Sequence, residues 1–217
     1  MARRRVGVLV SGRGSNLAAL IAAAREPAYP AEISLVVSNV PGAGGLALAR
    51  DAGIPQIAVD HRTFAGRPEF EAELDRVLRA ADIDLVCLAG FMRLLTPTFV
   101  DAWRDRMLNI HPSLLPAFPG LDTHARALKE GVRIVGCTVH FVRAKMDVGP
   151  IVGQAAVPVL AGDDAAALAA RVLKAEHRLY PAALRLVADG RARVVGEHVV
   201  FDGTDGDPAA LLVNPAL

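Results

Sequence analysis

The regular alternation of short apolar runs with helical patterns is the feature that most limits the folds open to this 217-residue chain. Apolar runs with the length of buried strands lie at residues 6–10, 33–37, 56–59, 85–88 and 108–110. Helical patterns separate them at residues 15–25, 44–52, 68–80 and 98–103. This βαβα order predicts an α/β fold: a mostly parallel central sheet with helices on both faces and a Rossmann-like N-terminal half.

After residue 134 the pattern changes. Two longer strands are predicted at 135–142 and 151–159, joined by a polar loop over 143–150. A long helix is predicted at 165–188, which Pro181 is expected to kink or interrupt. A terminal hairpin is predicted at 191–195 and 199–201. We predict a single domain over residues 1–203 and a loose C-terminal tail over 204–217.

Composition excludes several classes of protein. Hydrophobic residues make up 53% of the chain, enough for a sizeable core, and the formal net charge of +1 argues against nucleic-acid binding. No secretory leader or membrane span is recognisable. Cys87 and Cys137 lie in apolar runs and are predicted to be reduced core thiols of a cytoplasmic protein. Neither CxxC nor HExxH occurs, so we expect no metal.

The segment Ser11–Asn16 follows the first predicted strand and opens the first predicted helix. Its glycines allow close approach of an anion, and a helix N-terminus supplies free N–H groups, so the segment is suited to a small phosphorylated ligand. A tight turn with Ser15 as the N-cap is the structural alternative. A dinucleotide is disfavoured, because Leu17 stands where the third glycine of the GxGxxG pattern belongs.

Asn109 and His111 lie where the fifth predicted strand becomes a loop, and strand alternation places both side chains on one side. An amide donor beside a titratable group is suited to an oxyanion that forms while a proton moves. Asp147 lies in a stiff Asp-x-Gly-Pro turn, and a carboxylate beside His111 would favour the charged imidazolium. His140 and Thr138 are predicted to support this centre from the neighbouring strand.

Four segments resemble one known family, in order and in register over about residues 6–189. They are Ser11–Asn16, Ala89–Leu95, Asn109–Pro116 and Asp147–Pro150. The chain resembles the phosphoribosylglycinamide formyltransferases, folate-dependent enzymes of purine biosynthesis. The Asn-x-His-x-Ser-Leu-Leu-Pro segment is shared by formyltetrahydrofolate-using enzymes in general, whereas the Ser11–Asn16 loop is specific to the glycinamide ribonucleotide branch. This chain differs from some members of the family at Asp122, where those relatives are expected to carry histidine.

The resemblance implies a formyltransferase fold, with the phosphate-binding half to about residue 105 and the folate and catalytic half over about 106–203. It implies transfer of a formyl group from 10-formyltetrahydrofolate to glycinamide ribonucleotide, without a metal. Asn109, His111 and Asp147 would be catalytic. Ribonucleotide-binding residues would be Gly14, Ser15, Asn16 and Glu176. Folate-binding residues would be Arg67, Met92, Arg93, Leu94, Leu95, Asn109, Arg143, Ala144, Lys145, Met146 and Asp147.

Read from the residues alone, Glu176 resembles an ordinary acid on a helix surface and Arg67 a helix-start residue. Two other functions stay open: a formyltetrahydrofolate hydrolase, and a non-catalytic nucleotide-binding module on the same fold. Relatives that deformylate carry an additional N-terminal domain and those that act on tRNA an additional C-terminal one, and we expect neither here. Small molecules are the expected partners, not nucleic acid or membrane, and the sequence leaves a homodimer open.

Overall fold

The computed structural model describes residues 2–203 and Asn214. The strands are β1 (Arg4–Val10), β2 (Ala31–Ser38), β3 (Gln56–Ala58), β4 (Leu85–Leu88), β5 (Met107–His111), β6 (Ile134–Phe141), β7 (Ile151–Pro158), β8 (Ala192–Val195) and β9 (His198–Phe201). The helices are α1 (Ser15–Ala24), α2 (Gly44–Asp51), α3 (Arg67–Ala80), α4 (Pro97–Ala102), α5 (Thr123–Lys129) and α6 (Ala165–Ala188), with a 3₁₀ turn at His61–Thr63.

The central sheet has the order β3-β2-β1-β4-β5-β6-β7. Strands β1 to β5 pair in parallel, and β6 and β7 add to the edge in antiparallel orientation. The predicted mostly parallel sheet is therefore confirmed, and β8 and β9 form the predicted separate hairpin. The strand order reverses between β1 and β4, and the loops after parallel strands meet at the carboxyl edge, where such folds bind ligands.

Helices cover both faces of the sheet, as predicted. Residues of α1, α2 and α6 share one apolar cluster with β1, β5 and β6. Residues of α3 and α4 share a second cluster with Leu9, Val86 and Met107 on the opposite face. Because Met107 packs in the second cluster, strand alternation directs Asn109 and His111 to that same face. The fold therefore fixes the side of the sheet on which the polar residues of β5 lie.

The structure differs from the sequence predictions at two helices. Helix α6 runs from Ala165 to Ala188 without interruption at Pro181. The stripe of α6 that contains Leu168, Val172 and Leu184 is fully buried against the sheet, and this burial offsets the hydrogen bond that proline cannot donate. Helix α5 was not predicted, because seven residues are too few to show a clear helical period.

The predicted loose tail lies outside the described residues except for Asn214, whose side-chain amide donates to the carbonyls of Arg133 and Val159. Both cysteines are buried and unpaired, as predicted. Burial raises the pKa of each thiol to about 12. No helix among residues 2–203 combines the length and apolarity that a membrane span requires.

Candidate active site

The loop between β1 and α1 is held against the start of α2. Gly14 adopts a left-handed conformation (φ +80°) and is the N-cap of α1, so the structural alternative with Ser15 as the N-cap is wrong. A Cβ at Gly14 would lie only 2.8 Å from the Cα of Gly45, and the Gly45 N–H donates to the carbonyl of Gly12 (3.0 Å). Gly14 is therefore required both for its conformation and for close packing.

Asn16 and Glu176 meet across two helices beside this loop. The Asn16 Nδ2 donates to Glu176 Oε2 over 2.6 Å, and both side chains are buried. Burial raises the pKa of the Glu176 carboxyl. The Asn16 Oδ1 is also buried, and no hydrogen-bond donor among the described residues reaches it. A ligand hydroxyl or amine at this point would satisfy it.

The placement of Glu176 corrects its interpretation as a surface acid. Leu168, Val172, Glu176, Tyr180 and Leu184 follow one another at intervals of four residues, and all five are buried. A residue at this spacing belongs to the apolar stripe of α6 and faces the sheet. The helical period could therefore have revealed a buried carboxylate, which is a frequent mark of a functional site.

Asn109, His111 and Asp147 come together on the second face of the sheet. Asp147 Oδ2 lies 3.4 Å from His111 Nδ1, and Asp147 Oδ1 lies 3.9 Å from His140 Nε2. The loop over 142–150 thus brings its carboxylate onto the strand pair β5–β6, where Asn109 pairs with His140. His111 and Asp147 are both nearly buried, so their attraction is only weakly screened by solvent.

His140 orients Asn109. Its Nδ1 lies 3.0 Å from the Phe141 carbonyl, which only an N–H can satisfy, and burial lowers the pKa of His140. In the resulting neutral ring, Nε2 is an acceptor and receives the Asn109 Nδ2–H over 3.2 Å. The second Asn109 Nδ2 hydrogen remains available for an oxyanion.

Both ring nitrogens of His111 face acceptors. Nε2 lies 2.9 Å from the Phe118 carbonyl, and Nδ1 faces Asp147. An imidazolium, which donates from both nitrogens, satisfies both partners at once. The N–H of Gly120 in turn donates to Asp147 Oδ2 over 2.8 Å. The loop after β5 therefore contacts both members of the pair through backbone groups, which sequence reasoning could not have found.

Thr138 fixes the loop that follows His111. Its hydroxyl donates to the Ser113 carbonyl (2.7 Å) and accepts from the Leu115 N–H (3.0 Å) and from Gln154 Nε2 (3.0 Å). The side chain is completely buried in β6. Two of these hydrogen bonds hold the loop against β6, and the third joins the same hydroxyl to β7.

Most of the expected folate-lining residues are accessible. Met92, Leu94, Ala144, Lys145 and Met146 are exposed, as is Arg67 in the first turn of α3, whereas Leu95 and Arg93 are partly buried. No hydrogen bond or ion pair within the described part of the chain joins Arg67 or Lys145 to the trio of Asn109, His111 and Asp147. Arg143 is directed elsewhere, because its guanidinium contacts Asp105 and Glu197.

Sequence reasoning did not single out the contact between the first loop and the Met92 segment. Ser11 Oγ donates to Asn39 Oδ1 (2.6 Å) and accepts from the Met92 N–H (2.8 Å). The loops after β1, β2 and β4 are thus tied together at the carboxyl edge. The sequence could have indicated a role for Ser11, because Ser11 belongs to the same polar segment as Ser15 and Asn16.

Neither of two surface pockets contains a member of the trio. One of about 240 Å³ lies between α1 and α2, and one of about 140 Å³ lies under the loop after β5, lined by Leu114, Phe118 and His124 among others. The site is therefore located by its polar contacts and not by an enclosed volume. No group of three potential metal ligands occurs within residues 2–203.

A family model, a sequence relative and a solved structure all relate this chain to formyltransferases. The family model described as formyl transferase matches residues 4–184. Phosphoribosylglycinamide formyltransferase of Escherichia coli (strain K12) is 43% identical over 90% of this chain and 92% of its own length. The crystal structure of glycinamide ribonucleotide transformylase 1 from Symbiobacterium toebii superposes with a TM-score of 0.89 at 48% identity, covering 92% of this chain and 94% of that one.

Longer proteins contain a similar segment. The trifunctional purine biosynthetic protein adenosine-3 of Gallus gallus is 52% identical over 88% of this chain. That match covers only 19% of the relative, so this chain spans about a fifth of its length.

Proposed function

Because the chain belongs to the formyl transferase family, we propose that it is a phosphoribosylglycinamide formyltransferase of purine biosynthesis. It transfers the formyl group of 10-formyltetrahydrofolate to the amine of N1-(5-phospho-D-ribosyl)glycinamide. The observation that carries this proposal is the contact of His111 with Asp147 beside the Asn109 amide. These three side chains supply a fixed donor, a cation and a proton acceptor at one place.

The proposed reaction begins with attack of the ribonucleotide amine on the formyl carbon. The Asn109 Nδ2–H and the His111 imidazolium stabilise the tetrahedral oxyanion, and the Asp147 carboxylate faces the Nδ1–H of that ring. Because His111 Nε2 already faces the Phe118 carbonyl, the oxyanion must share or replace that acceptor. A proton moves from the amine to the departing folate nitrogen, relayed by Asp147 through water, as the carbon–nitrogen bond to the folate breaks.

A direct transfer is favoured over a covalent enzyme intermediate. Cys87 and Cys137 are buried thiols whose pKa values of about 12 leave them protonated at neutral pH. The Ser113 hydroxyl donates to the Ala117 carbonyl (2.6 Å), and no hydrogen bond within the described residues joins it to a histidine or a carboxylate. The ribonucleotide amine is therefore the nucleophile.

The ribonucleotide site is proposed at the carboxyl edge of β1. Gly14, Ser15 and Asn16 begin α1, whose free N–H groups and dipole favour a phosphate. Glu176 accepts a ribose hydroxyl, since its buried carboxylate lies beside Asn16. The unpartnered Asn16 Oδ1 supports a ligand at this point.

The formyl donor is proposed to bind along the second face, between two segments that contain exposed side chains. Met92–Leu95 and Ala144–Asp147 supply accessible apolar side chains and backbone groups for the folate, and Arg67 a positive charge for its carboxylates. Small molecules are thus the partners. We place the enzyme in the cytoplasm, where buried, unpaired cysteines such as these remain reduced.

The test is incubation of the purified protein with 10-formyltetrahydrofolate, with and without the ribonucleotide, while folate absorbance is followed. We expect tetrahydrofolate to form only when the amine acceptor is present, with formylglycinamide ribonucleotide in equal amount. Release of tetrahydrofolate without acceptor would instead identify a hydrolase. Binding of the ribonucleotide without any turnover would identify a non-catalytic module.

A further inference from the structure

Arg143 stands at the beginning of the loop that carries Asp147, and each of its guanidinium nitrogens is engaged. Nε donates to Glu197 Oε2 (2.8 Å), Nη2 to Asp105 Oδ1 (2.8 Å) and Nη1 to the Val142 carbonyl (3.2 Å). The Arg143 side chain is only 8% exposed. These partners use three of the five guanidinium N–H groups, and the low exposure of the side chain limits access of a substrate carboxylate to the other two.

The Arg143 contacts join three parts of the fold. Asp105 lies in the turn immediately before β5, the strand that carries Asn109 and His111. Glu197 lies in the turn of the β8–β9 hairpin, beyond the segment that the family model matches. Arg104 also donates to Glu197, through Nη2 to Oε1 over 2.6 Å.

Glu197 is the shared acceptor of this group. Its carboxylate accepts hydrogen bonds from both Arg104 and Arg143, and the hydrogen bond from Arg143 lowers the pKa of the carboxyl group. The Glu197 carboxylate is therefore charged at neutral pH. It attracts Arg143, at the start of the loop over 142–150, toward β5. Because 55% of the Glu197 side chain is exposed, this attraction is sensitive to salt.

We propose that Glu197 is a positioning residue, which acts through Arg143 to hold the Asp147 loop over β5. The inference rests on the proposed function, since it assigns the hairpin a part in donor binding and proton transfer. Asp147 follows Arg143 by four positions, a span of at most roughly 14 Å. A small rotation at the base of so short a loop moves the Asp147 carboxylate relative to His111, and rates depend steeply on such distances.

The test compares Glu197→Gln with Asp202→Asn. Asp202 lies on the same hairpin, with its carboxylate 3.8 Å from Arg193, so the control removes an equivalent surface charge without touching Arg143. For E197Q we expect kcat/KM for 10-formyltetrahydrofolate to fall roughly three- to tenfold, the range over which remote residues modulate a site. The KM for the ribonucleotide and all constants of D202N should stay at the wild-type values.

Two further measurements separate positioning from general destabilisation. Amide hydrogen exchange of a peptide covering residues 143–150 should be faster in E197Q than in D202N or the wild type. Raising the ionic strength should lower the wild-type kcat/KM toward that of E197Q, because salt screens the Glu197 contacts. Equal kinetics of E197Q and D202N would overturn the inference. So would an equal rise of KM for both substrates together with a lower Tm.

Failure of the proposed function has a different signature. A wild-type protein that transfers no formyl group refutes that function irrespective of Glu197. The positioning inference is then decided by binding of 10-formyltetrahydrofolate and by exchange of residues 143–150. Weaker binding and faster exchange in E197Q alone would uphold it, and equal values in all three proteins would overturn it.

Discussion

Replacing Asp147 by asparagine removes one charge from the candidate site while leaving its shape almost unchanged. Asp147 has a left-handed backbone (φ 57°), which asparagine tolerates as well as aspartate does. The new side-chain oxygen can still accept the Gly120 N–H, which now donates over 2.8 Å. The variant therefore isolates the electrostatic effect of the carboxylate on His111.

The expected loss follows from the separation of the two groups. At an effective dielectric constant of about 20, unit charges 3.4 Å apart attract by roughly 5 kcal/mol. Recovered solvation and the remaining hydrogen bond reduce this value. We take about 2–4 kcal/mol as the stabilisation lost in the transition state, which corresponds to a decrease of roughly 30- to 1,000-fold in kcat.

The assay is steady-state formyl transfer followed by folate absorbance, with ribonucleotide binding measured separately. Asp122→Asn is the matched control, because Asp122 is an exposed acid with the same left-handed conformation (φ 56°). We expect D122N to retain the wild-type kcat and D147N to bind the ribonucleotide normally. A D147N enzyme with kcat within about twofold of the wild type would refute the reasoning, since less than about 0.5 kcal/mol would then be lost.

Three further predictions concern the supporting residues. Glu176→Gln removes a carboxyl group whose pKa is raised by burial, so the stability that this group gives the wild type is present at acid pH and is lost as the pH rises through the raised pKa. The Tm of E176Q relative to the wild type should therefore increase from about pH 4 to about pH 8. A difference in Tm that does not depend on pH would contradict this. Gly14→Ala should cost about 1–3 kcal/mol of stability in urea unfolding and raise the KM for the ribonucleotide, because its Cβ would meet Gly45, whereas Gly12→Ala, whose Cβ meets nothing within 4 Å, should leave the stability unchanged. Thr138→Val should lower the free energy of unfolding by about 2–4 kcal/mol through the loss of three buried hydrogen bonds, and Thr138→Ser should recover most of it; equal stabilities of the two variants would argue against the hydroxyl.

The local pattern of apolar residues was sufficient to predict the sheet and most of the helices. Buried parallel strands need continuous apolar runs such as Val6–Val10, and amphipathic helices such as α3 repeat their apolar residues at a fixed interval. These signals lie within a few residues of one another and do not depend on the rest of the chain. The helix α5 was missed for the same reason, because it is too short to repeat its pattern.

The candidate site was only partly accessible to such reasoning. Asn109 and His111 share a strand, so their common direction followed from alternation alone. Glu176 was misjudged as a surface acid, although its place in the buried stripe of α6 was readable. The folate-binding role expected of Arg143 stays a prediction, and its guanidinium is already held by Asp105 and Glu197, which are distant in sequence.

The sequence by itself determined the class of fold, the common direction of Asn109 and His111 on β5 and the chemical groups available there. Only the tertiary structure decided which groups meet. The contact of Asp147 with His111 spans 36 residues and depends on how the loop after β6 folds back over β5. The Phe118 carbonyl and the Gly120 N–H complete the site as backbone groups. Every residue possesses such groups, so their role is set by position in space and leaves no trace in residue identity.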